Sequence, residues 1–159
     1  LNSCAKENCS GFDTIIELES VFLFGEDTLQ YFENVPNQFF GITMTIFGDY
    51  ANKDGKRNCE TNDLAFKLED VIDPTTVSLK CDKVLKSGNQ TFMPNTELIS
   101  TSIARVNINQ SSFGQLDQAS VNLVGLDGIT QSENYTFTLK ISTENNKNYT
   151  DDHIVYIKK

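Results

Sequence analysis

Residues 14–24 read Thr-Ile-Ile-Glu-Leu-Glu-Ser-Val-Phe-Leu-Phe, and apolar and polar positions largely alternate. A repeat of two is that of a half-buried strand. It predicts Ile16, Leu18, Ser20, Phe22 and Phe24 on one face and Glu17, Glu19, Val21 and Leu23 on the other. Slipping the register by one residue would bury both carboxylates at great cost, so the glutamates are expected to mark the outward face. Residues 39–48 continue the pattern, with Ile42, Met44 and Ile46 alternating against Thr43, Thr45 and Phe47. Further strands are predicted at 64–68, 75–81, 98–108, 119–126, 134–142 and 152–158. The clearest puts Tyr135, Phe137, Leu139 and Ile141 inward, with Thr136, Thr138 and Lys140 outward.

Turn-forming residues separate these runs: Asn52-Lys53-Asp54-Gly55, Asp73-Pro74, Ser87-Gly88-Asn89, Asp127-Gly128 and 144–148. A short helix is expected over 27–34, capped by Asp27 or Thr28 and ended by Pro36, with another helical turn near 115–120. About eight short strands at this spacing predict an all-β fold, a mainly antiparallel two-sheet β-sandwich with one or two short helices. The 159 residues fit one domain, which at this size buries roughly 70% of its unfolded surface. Residues 1–12 read as an irregular N-terminal segment of that domain, pinned by cysteines. A chain that starts at Leu1 is expected to be a mature fragment or a domain of a longer protein. No apolar run approaches the roughly 18 residues that span a bilayer, so membrane insertion is not expected.

Charge sharpens the picture. Residues 1–80 carry 14 acidic and 6 basic side chains, whereas 81–159 carry 8 and 7. No lysine or arginine falls between Lys6 and Lys53. Such a stretch repels nucleic acid and attracts cationic partners. The acidic half is also nearly free of N-x-[ST] sequons. Asn89, Asn109, Asn134 and Asn148 head sequons in the second half, and Asn8 alone precedes them. A docking face has to stay clear of glycans, so the bare acidic half is the expected interface. The cysteines Cys4, Cys9, Cys59 and Cys81 lack zinc-site spacing and are expected to form two disulfides of open connectivity. Together with the sequons they imply a secreted protein.

Catalytic chemistry finds little footing. His153 is the sole histidine. It lies beside Asp151 and Asp152 at the start of the last predicted strand, and reads as a strand-end surface residue. Glu17 and Glu19 lie about 7 Å apart along a strand, a usable spacing for glycoside hydrolysis. The chain nevertheless has no Trp to form a sugar platform. Residues 50–61 imitate a calcium loop, but Tyr50 and Thr61 stand where acidic ligands belong. No enzyme, metal or cofactor is expected.

The stretch from Thr14 to Asp27, the four cysteines, the length and the ending Ile154-Val155-Tyr156-Ile157-Lys158-Lys159 resemble the SECRET (smallpox-virus-encoded chemokine receptor) domain. In that family it is the C-terminal domain of poxvirus tumour-necrosis-factor receptor homologues. The resemblance implies a β-sandwich related to poxviral chemokine inhibitors and a secreted viral decoy that sequesters basic host chemokines. It also implies N-terminal receptor repeats in the full-length protein. An acidic face would steer such ligands, and apolar anchors would hold them. The expected contact set is Glu17, Glu19, Glu26, Asp27, Glu69 and Asp70, with Val21 and Leu23 as anchors. The alternative is a cell-surface adhesion or structural sandwich whose acidity serves only solubility.

Overall fold

The structure is a computed structural model and describes residues 12–33, 40–56, 67–111 and 115–159. The strands among the described residues are, in chain order, β1 Phe12–Gly25, β2 Thr28–Gln30, β3 Gly41–Lys56, β4 Lys67–Leu68, β5 Ile72–Cys81, β6 Leu85–Ser87, β7 Gln90–Phe92, β8 Ala104–Gln110, β9 Leu116–Val124, β10 Glu133–Thr143 and β11 Asn148–Lys158. Sheet A has the order β4-β1-β3-β9-β8 and sheet B the order β2-β11-β10-β5, with β6-β7 as a separate hairpin. Among the described residues most pairings are antiparallel, with β1–β4 and β11–β2 parallel. The fold is an all-β two-sheet sandwich.

Alternation decides which residues enter the core. Sheet A contributes Ile42, Met44 and Ile46 from β3 and Ala119, Val121 and Leu123 from β9. Tyr135, Phe137, Leu139 and Ile141 face them from β10, as their pattern predicts, together with Val155 and Ile157 from β11. Each large side chain buried this way contributes about 1.5–3 kcal/mol. The β6–β7 turn places Gly88 at φ +56°, where glycine meets no steric penalty. Its N–H is held at 2.7 Å by the Asp127 carboxylate.

Four expectations about elements change. No helix occurs among the described residues. Thr28–Gln30 instead runs parallel to the end of β11, which satisfies its backbone, with Leu29 partly buried and Tyr31 buried in the core. An isolated helix of that length would be marginal in water. Residues 116–120 belong to β9, locked between β3 and β8. The expected turn at Asn52–Gly55 is strand, because Asp13–Ile16 pairs with it residue by residue. Asp73-Pro74 lies inside β5 at an irregularity, where Ser78 faces Lys140 but Asp73 already faces Ser142.

Beyond Ile16, the outer edge of β1 has no ladder partner among the described residues, and side chains seal it instead. The Leu18 N–H donates to Asp70 Oδ2 at 3.2 Å, and the Leu18 carbonyl accepts from the Tyr149 hydroxyl at 2.7 Å. Further along, the Leu23 N–H donates to Asp151 Oδ2 at 2.7 Å. Three side chains thus close the seam between the sheets and satisfy an edge that would otherwise invite another strand.

Candidate functional site

The decisive local feature is a β-bulge in β1. Leu18 faces Tyr50 and Ser20 faces Asp49, so Glu19 is an extra residue with no partner of its own. A bulge of this kind changes which side chains look inward. Before it Leu18 points into the core; after it Val21 and Leu23 do, at 4% and 3% exposure. Phe22 and Phe24 turn outward and are 43% and 50% exposed. The slip expected to bury the glutamates is absorbed at Glu19, which stays in solvent. Val21 and Leu23 therefore cannot anchor a partner. The phenylalanines beside them can.

On the outer face of sheet A, Phe22 stands opposite Phe47, which is 54% exposed, and Phe24 stands opposite Thr45. The Phe24–Thr45 row continues over β9 and β8 through Ser120 and Asn107, and the next row runs from Thr43 on β3 to Asn122 and Arg105. The face thus grades from aromatic on β1 and β3 to polar on β9 and β8. The sequence pattern sets Phe47 on one face with Thr43 and Thr45, and the structure shows that face to be the outer one. Asp49, exposed across from Ser20, was missed.

Carboxylates bracket this patch. Glu19 and Asp49 lie exposed at one end, and Glu26 and Asp27 lie exposed at the other, roughly 20 Å along the strand. None of the described ion pairs, Lys83–Glu133, Lys147–Asp70 and Lys159–Glu33, uses any of these four. Glu17 is half-buried, already interacts within the fold and lies in the field of the Lys147 ammonium. Beside Phe24 a groove of about 460 Å³ opens between Glu26, Leu29, Ile42, Thr43 and Thr45. Its wall needs bare backbone, since a Cβ on Gly25 would come within 2.7 Å of the Thr43 carbonyl oxygen and one on Gly41 within 2.4 Å of that of Leu123.

The remaining expected contacts sit elsewhere. Asp70 is buried completely and serves the fold. Its carboxylate accepts from Lys147 Nζ and Asn145 Nδ2 at 2.8 Å each as well as from Leu18 N–H. Burial alone would raise its pKa, but these donors together hold it below the ordinary aspartate range. Asp70 is thus removed from the contact set. Glu69 is half-buried beside it, bonded through its N–H to the Ile16 carbonyl oxygen. His153 is no surface residue: it points inward from β11 opposite Phe137, with Nε2 3.4 Å from the Glu26 carbonyl oxygen. It supports the corner that carries Glu26 and Asp27.

Cys81 closes β5 as a buried free thiol rather than half of a bridge. Burial, with Asp82 alongside, pushes its pKa up to about 12. Cys4, Cys9 and Cys59, the sequon at Asn8, residues 1–11 of the N-terminal segment and the end of the calcium-like stretch lie outside the described residues. Asn89, Asn109, Asn134 and Asn148 are all exposed. Asn109 is on β8, three strands from β1 and so about 14 Å from it. Among the described residues no group of His, Cys, Asp and Glu gathers as a metal site would need.

No family model and no curated protein matches this chain. Among solved structures, that of murine CRIg is similar at a TM-score of 0.34 and 11% identity, covering 87% of this chain and 96% of that one. A likeness this slight carries no argument about function.

Proposed function

We propose that this chain is a secreted capture module for small basic proteins and binds them on the outer face of sheet A. The observation that carries the reading is the exposed Phe22–Phe47 pair with Phe24, bracketed by Glu19 and Asp49 on one side and Glu26 and Asp27 on the other. Solvated carboxylates at the rim speed the encounter and select for cations, while centrally buried aromatics supply most of the holding energy. Neighbouring phenylalanines exposed on a sheet face cost solubility unless something covers them. The acids alone would explain solubility; the aromatics among them call for a partner.

The resemblance to the SECRET family supplies the ligand class, host chemokines, and the role, a viral decoy that keeps them from their receptors. Secretion is supported by the exposed sequons. A surface-plasmon screen of the purified domain against a chemokine panel at two salt concentrations tests the reading. Nanomolar-class binding that weakens as salt rises is expected. No binding to any basic chemokine, with concentration-dependent self-association in its place, would favour the adhesion alternative.

A further inference from the structure

Among the four described sequons, one asparagine stands across a strand ladder from an exposed aromatic. Asn134 on β10 faces Tyr156 on β11, and Thr136 of the same sequon faces Ile154. Their chain neighbours Tyr135 and Val155 are buried in the core, so Asn134 and Tyr156 both point to solvent from the outer face of sheet B. Tyr156 is 38% exposed and Ile154 54%, leaving an apolar patch on the face opposite the proposed docking surface. The other sequons lack this company. Asn89 sits in the β6–β7 turn, and Asn109 faces Asp117. Asn148 faces Ser142, whose hydroxyl donates to Asn148 Oδ1 at 2.6 Å.

We infer that Asn134 carries an N-linked glycan whose first N-acetylglucosamine lies on the Tyr156 ring and covers the Ile154–Tyr156 patch. The Asn134 side-chain nitrogen displaces the diphosphate of a lipid-diphosphate-linked oligosaccharide at its anomeric carbon. A C–N bond forms, the C–O bond to the diphosphate breaks with its electron pair, and the amide loses one proton. Directly opposed residues have Cβ atoms about 5 Å apart. The ring therefore lies beside the first sugar rather than later ones. The C–H groups on one face of that sugar pack on the electron-rich face of the phenol, as other apolar groups do. The patch is then covered by the chain's own modification, and sheet A remains the open face. This inference rests on the secreted reading but needs no chemokine.

The test is secretion of the chain from a mammalian cell line, with peptide mass spectrometry before and after peptide-N-glycosidase. Thermal melts of the glycosylated protein then compare wild type, Tyr156→Ala and Tyr156→Phe, each with and without Asn134→Gln. Occupancy at Asn134 is expected. Tyr156→Ala should lower the melting temperature by about 2–4 °C more in the glycosylated chain than in the Asn134→Gln background. Tyr156→Phe should stay near wild type. Glycosidase treatment of the folded protein, which leaves Asp at each released sequon, gives a second glycan-free comparison. Sugar at other sequons with Asn134 bare would overturn the inference, as would an equal effect of Tyr156→Ala in both backgrounds. If no sequon is occupied, the secreted reading falls with it.

Discussion

Phe22 and Phe47 face each other across the β1–β3 ladder and point away from the core, 43% and 54% exposed. The neighbours of Phe22, Val21 and Leu23, are nearly inaccessible. One strand thus shows apolar side chains to both faces, and the bulge at Glu19 decides which set is structural. Exposed aromatic pairs of this kind add to sheet stability only modestly, about 0.2–1 kcal/mol. Under the proposed function their larger role is to be covered by a partner.

Truncating the outward pair should separate binding from folding. Phe22→Ala and Phe47→Ala are each expected to weaken chemokine binding at least tenfold, about 1.4 kcal/mol or more. Urea unfolding midpoints should move little. Plasmon resonance and denaturation on the same preparations check both halves.

Truncating the inward set should do the reverse. Leu23→Ala removes buried side chain from the core and is expected to cost about 2–5 kcal/mol of stability. Any protein that remains folded should bind normally. A Leu23→Ala chain with full stability and lost affinity would restore Leu23 as a contact and remove the bulge from the account.

The inside-outside error in β1 has a physical origin that the residues themselves expose. Val21-Phe22-Leu23-Phe24 is apolar at every position, so it is compatible with either face. Only Glu17 and Glu19 argued for one parity, and a single extra residue releases the strand from that argument. Where alternation was unbroken, as from Tyr135 to Ile141, the inward face was legible without the structure. The parallel pairing of Thr28–Gln30 with β11 was not legible, because it depends on a strand more than a hundred residues away. The same holds for Asn52–Gly55, where a tertiary partner overrides a local turn preference. In the candidate site the acids Glu19, Glu26 and Asp27 were readable from charge. The aromatics were not, because parity hid two and Phe47 was read only as part of a strand pattern.

Asp70 should make its mark in acid. Its folded pKa lies below the ordinary aspartate value, so its stabilising contribution is complete above that value and declines as pH falls from about 4 towards the folded value. Urea unfolding of wild type and Asp70→Asn across pH 2–7 is expected to show a gap at neutral pH that narrows in this acid window. Lys147→Ala should also destabilise at neutral pH, since it leaves a buried carboxylate without its cation.

Cys81 should behave as a core residue. With its pKa pushed up to about 12, almost no thiolate is present at neutral pH. An alkylating reagent should leave Cys81 unmodified in the folded protein and label it after denaturation without any reductant. Peptide mass spectrometry reads both states, and labelling that requires reductant would show a bridge instead.

The surface that meets the partner is read most directly by hydrogen exchange of the domain with and without a basic chemokine. Slowed exchange concentrated in residues 19–27 and 43–49, with β10 and β11 unchanged, is the expected footprint. Protection confined to β10 and β11, or no protection under saturating ligand, would contradict a partner seated on the exposed phenylalanines.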